Sequence, residues 1–164
     1  MADFSRYDPA MTNPFFGDLD AEKAQSFGNL IWTTVALEGL VNKVCCTLLG
    51  AKWREGKAVG KNITKAQAVG RTDIAALRAY EWLDEARPKL YLRNEVLHST
   101  VAAHMEPENF SKVSFYTLHN IRWDNKDKKE VETHTLFTVE NMAIIQAEIE
   151  TVIDGFSRVD SMLA

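Results

Sequence analysis

The chain has 164 residues, 46% hydrophobic and 26% charged, which suits one globular domain with an ordinary core and excludes a disordered or low-complexity chain. A formal net charge of −4 and a pI near 5.6 exclude a general electrostatic grip on nucleic acid, which needs many Lys and Arg contacts to phosphates. No basic segment followed by an apolar block opens the sequence and no run of about 18 apolar residues occurs, so a cytoplasmic chain with no membrane span is expected.

Residues 1–18 mix aromatics with Pro and Gly and show no period, which reads as an N-terminal arm packing on its own domain or on a partner. A single domain, 19–164, follows. From about Leu19 to Leu49 the positions Phe27, Leu30, Thr34, Leu37, Val41, Val44 and Leu48 alternate threes and fours, the mark of one long amphipathic helix, with Gly50 as its stop. Trp32, Glu38 and Asn42 fall off or beside that stripe, and Glu38 reads as a solvated or dimer-edge charge. Cys45 and Cys46 are neighbours on a helix and point to different sides, so they read as reduced thiols in or near the core. Lys52–Lys61, with two glycines and several cations, reads as a basic connecting loop, and Ile63 to Val69 as a short helical piece.

Thr72-Asp73 opens the next helix, with Ile74, Leu77, Tyr80, Leu83 and Ala86 as its apolar stripe. At Pro88 the chain restarts or kinks, and the following helix carries Leu90, Tyr91 and Leu97 inward. Its pattern fades by His104, which is expected at the helix C-terminus, where a cation suits the dipole. The period then changes. Ser114–Trp123 and Glu130–Phe137 are rich in aromatic and β-branched residues around the charged turn Asp124–Lys129, giving a β-hairpin at about 113–137. Phe115, Thr117, His119, Ile121 and Trp123 alternate to one face, and that face is expected to pack on the helices. His119 and His134 can face each other across the strands. With no Cys or third His at a matching spacing they read as a polar strand pair, and no metal site is expected. Thr138 then caps a final helix with Met142, Ile145, Ile149, Val152, Phe156, Val159 and Leu163 in unbroken three-four alternation. Gly155 inside it predicts a close backbone approach.

The expected fold is therefore mainly α, an up-and-down helical bundle with a β-hairpin inserted before the C-terminal helix. The chemistry concentrates in Arg93-Asn94-Glu95-Val96-Leu97-His98, within the run Leu90–Ala102. At about 100° per residue, His98 lies roughly 40° from Asn94, roughly 60° from Glu95 on the other side, and roughly 140° from Arg93. Asn94, Glu95 and His98 share a face, and the long Arg93 stem can fold toward an anion held near the imidazole. A permanent cation, a ring that titrates near neutrality and an amide suit phosphate chemistry.

Arg93, Asn94 and His98 resemble the motif of the HEPN superfamily of helical bundles. The resemblance implies a homodimer with its active site in the cleft between subunits, and metal-independent cleavage of RNA with no cofactor. It implies that His98 moves a proton at the ribose 2′-hydroxyl or the leaving oxygen, that Arg93 holds the phosphorane charge, and that Asn94 orients ring or phosphate. Glu95 is expected beside the substrate, biasing the imidazole toward its charged form, and Lys126, Lys128 and Lys129 of the hairpin turn are candidate substrate contacts. A second reading is a non-catalytic HEPN-like dimer that binds a nucleotide or partner protein in the same cleft, as the sensing or antidote-responsive half of a toxin–antitoxin or defence system. A metal-dependent helical hydrolase is disfavoured, because the carboxylates and histidines do not pair as Glu-x-x-His on two helices.

Overall fold

A computed structural model describes residues 21–50, 53, 58–97, 99–106, 108–124 and 127–163; the expected arm, 1–18, and residues 52 and 54–57 of the basic loop fall outside them. Helix α1, Ala21–Leu49, buries Leu30, Thr34, Leu37, Val41, Val44 and Leu48, the stripe its sequence spells. Gly50 follows at φ 51, the left-handed conformation that ends helices and that glycine adopts without strain. Trp32 on the opposite side is 77% exposed. Cys45 is buried and Cys46 exposed, and burial pushes the Cys45 thiol up to about 12.

Helix α2, Val59–Gln67, starts and ends earlier than the expected Ile63 to Val69 and buries Asn62, Ile63 and Ala66. Gly60 does not delay it, because a first-turn residue has no intrahelical bond to donate. Helix α3, Ile74–Leu97, opens where expected: Asp73 Oδ1 accepts from the Ala76 amide at 3.0 Å as its N-cap. The Arg71 guanidinium hydrogen-bonded to Asp73 holds that carboxyl below its ordinary value. The core stripe of α3 is Ala76, Ala79, Leu83, Ala86 and Leu90, with Trp82 beside it. Ile74 and Leu77, expected inside, are 72% and 47% exposed, and Tyr91 is exposed too. Small alanines face the core here because they let neighbouring helices approach closely. Pro88 neither restarts nor ends the helix. It and Asp84, whose carbonyl loses its partner, are both exposed, so water can satisfy the orphaned group.

The chain then turns to strand earlier than its composition suggests. Strands β1, Thr100–Glu106, β2, Asn109–Asp124, and β3, Lys129–Leu136, form a three-stranded antiparallel sheet in the order β1-β2-β3. The hairpin expected before the last helix is present, with one more strand where the motif helix was expected to run on toward His104. Pairing with β2 overrides the helical preferences of Ala102, Ala103 and Met105. His104 is therefore a strand residue, its Nε2 2.9 Å from Thr117 Oγ1, and not a residue of a helix C-terminus.

Helix α4, Val139–Leu163, starts at Thr138, whose Oγ1 accepts from the Asn141 amide at 3.1 Å. Met142, Ile149, Val152 and Val159 are buried, with Ile145, Phe156 and Leu163 packed against them. Phe27 meets Phe137 edge-on at 5.5 Å near the starts of α1 and α4, and Lys43 pairs with Asp160 near their ends, so these helices run parallel. α3 runs against α4: Lys89 pairs with Glu148 at 2.7 Å, while the earlier Trp82 donates from Nε1 to the later Val152 carbonyl at 2.8 Å. The bundle is thus up, down, up, with the sheet between α3 and α4 in the chain. Among the described residues Gly155 meets no backbone of another element. A Cβ there would touch the Trp82 indole at 3.5 Å, so the expected close approach is by a side chain. Among the described residues no helix is long and apolar enough to cross a membrane.

Candidate functional site

Two features meet where α3 gives way to the sheet. The first is the final turn and a half of α3, which carries Arg93, Asn94 and Glu95 as helix backbone. The side chains of these three, and the whole of His98, lie outside the described residues. Leu97 ends the helix and Thr100 begins β1, so chain length keeps the two within about 11 Å. Thr100 pairs with His119 on β2, and His119 with His134 on β3. The motif's helical part thus ends beside a row that crosses the sheet through two histidines.

The second feature is that row's surroundings. Over Leu118–Ile121 the face that packs inward is the opposite of the one expected. Leu118 and Asn120 are buried, and Leu118 joins the core, while Ile121 is 59% exposed. Period-two alternation then places His119, Ile121, Glu132 and His134 on the outer face, although Thr117 on that side is also buried. There the two imidazoles stack with centroids 4.6 Å apart and planes within 6°. Glu132, two residues before His134 and diagonal to His119, sets Oε1 2.6 Å from His119 Nε2 and 3.1 Å from His134 Nε2. The same carboxylate oxygen contacts both rings, with a hydrogen bond at His134 Nε2. His119 is the anchored member, with its side chain 25% exposed, while the other two are more than half exposed.

The two described lysines of the hairpin turn, Lys128 and Lys129, sit elsewhere. Lys128 takes φ 49 and Lys129 pairs with Asp127 at 3.2 Å, while Lys126 lies outside the described residues. Lys129 is level with Asp124, five residues along β2 from His119, or roughly 17 Å at the rise of a strand. The structure does not bring Lys128 and Lys129 to the row beside the helix end. What sequence reasoning missed is Glu132. Its signal was the Glu-x-His spacing on β3 opposite a second histidine, His119 on β2, which becomes a cluster only once the register is known. Neither family models nor curated proteins nor solved structures give a match to this chain.

Proposed function

We propose that the protein is a metal-independent endoribonuclease of the HEPN type, working as a homodimer with its active site between subunits. The observation that carries this reading is the Arg93-Asn94 pair in the last turn and a half of a helix packed against both long helices, followed in sequence by His98. In the reaction the ribose 2′-oxygen attacks phosphorus and the 5′-oxygen leaves. One copy's imidazole takes the 2′-hydroxyl proton, and the other copy's, as imidazolium, protonates the leaving oxygen. Arg93 holds the charge that grows on the non-bridging oxygens, and Asn94 orients ring or phosphate. The exposed Trp32 and Val35, with Gly28 and Gly39 on the same side of α1, give a second copy an apolar surface to cover.

The net charge of −4 favours a second reading, a non-catalytic HEPN-like dimer whose cleft binds a nucleotide or partner protein. Incubation with structured and single-stranded RNA, with and without chelator, separates the two. The ribonuclease reading expects chelator-resistant cleavage by the wild type that His98→Ala abolishes. Equal background in both proteins retires it and leaves the binding module.

A further inference from the structure

We infer that His119, His134 and Glu132 form a binding site for a divalent ion of the zinc class on the outer face of the sheet. Two imidazole nitrogens and a carboxylate oxygen are borderline donors that zinc takes in three-ligand sites, with water completing the shell. Here the three donor atoms already lie within 4.8 Å of one another. A tetrahedral shell with metal–donor bonds of about 2.0–2.2 Å spaces its donors by roughly 3.3 Å. Glu132 Oε1, at 2.6 and 3.1 Å from the two Nε2 atoms, occupies the space such an ion needs between the rings. Binding asks the His134 ring to turn out of the stack, so that its in-plane lone pair and that of His119 converge on one ion, and asks Glu132 to draw back; both are more than half exposed, while the more buried His119 holds its ring in place.

The backbone supports the same assignment. His119 and His134 are direct partners in the β2–β3 register and Glu132 is on the same face two residues along, so the ladder fixes all three Cα positions before any ion arrives. Exposed Glu130, a further two residues along that face, adds a carboxylate that favours a cation. The remaining described histidine, His104, is on β1, bonded to Thr117, and is outside the cluster. Two of the ligands come from β3 and one from β2, so the ion pins the hairpin's two strands together and leaves at least one position open to water or to a ligand from outside.

The site stands apart from the ribonuclease reading, and its test does not involve RNA. Tag-free protein carrying Cys46→Ser, which removes the exposed thiol as a competing ligand, is titrated with Zn²⁺ by calorimetry. One ion per chain is expected to bind, and to raise the unfolding temperature. Glu132→Gln and His134→Ala, both at half-exposed positions, should each weaken binding at least about a hundredfold, since losing even an outer-shell partner costs 10–100-fold. His104→Ala should leave affinity unchanged. No saturable binding to the parent protein, or equal affinity in Glu132→Gln and His134→Ala, overturns the site; either result leaves the case for RNA cleavage untouched.

Discussion

The bundle and the outer face of the sheet are held by different physics. In the bundle, Leu30, Leu37, Val41 and Ile149 are fully buried, and stability comes from apolar area withdrawn from water. On the sheet face the backbone ladder fixes the residues, and the side chains His119, Glu132 and His134 meet one another in partial contact with water. A side chain in the first region is constrained by its neighbours' shape, and its removal leaves a hole. One in the second is spared that packing duty and is available for chemistry.

The difference can be broken most forcefully from the bundle side. Leu37→Ala should cost about 2–5 kcal/mol, the range for emptying a packed leucine site, read as a lowered urea midpoint at unchanged slope. Gly155→Ala should act in the opposite direction, stabilising by up to about 1 kcal/mol, because the helix gains alanine's propensity and the new methyl meets Trp82 at an ordinary 3.5 Å. A loss of stability there would mean that the indole of Trp82, tied to the Val152 carbonyl, has no room to give. The smallest effect belongs to the sheet face. His134→Ala in metal-free buffer should change unfolding free energy by no more than about 0.5 kcal/mol, as expected of a half-exposed side chain. A cost as large as that of Leu37→Ala would erase the distinction between the two regions.

The same contrast explains what could be read before any coordinates. α1 and α4 were legible because each shows one apolar stripe of large residues at helical spacing, and that stripe is what packs. α3 was legible in existence and start but not in orientation: Ala76, Ala79 and Ala86 carry little apolar weight in a sequence, yet they face the core, while Ile74 and Leu77 do not. β1 was hidden because Thr100–Glu106 follows the motif helix with no breaker before it and becomes a strand only through β2. The sheet's inner face was misassigned because aromatic residues at Phe115 and Trp123 outweighed Leu118 and Asn120 in the pattern, although Leu118 is the residue that reaches the core. Of the candidate sites, the Arg93 motif was a local word and could be seen in one dimension. The His119–Glu132–His134 cluster depends on a register between two strands, and no spacing along the chain encodes that by itself.

The central claim, that Arg93 and His98 cleave RNA through the ribose 2′-hydroxyl, is tested most directly by one comparison of rates. In chelator, the wild type is given single-stranded and structured RNA and the same strands with 2′-deoxy sugars, and the ends of any products are read by mass spectrometry. Cleavage confined to the 2′-hydroxyl strand, leaving 2′,3′-cyclic phosphate and lost in Arg93→Ala and His98→Ala, is the result predicted. Cleavage of the 2′-deoxy strand, or undiminished cleavage by the two variants, would contradict it.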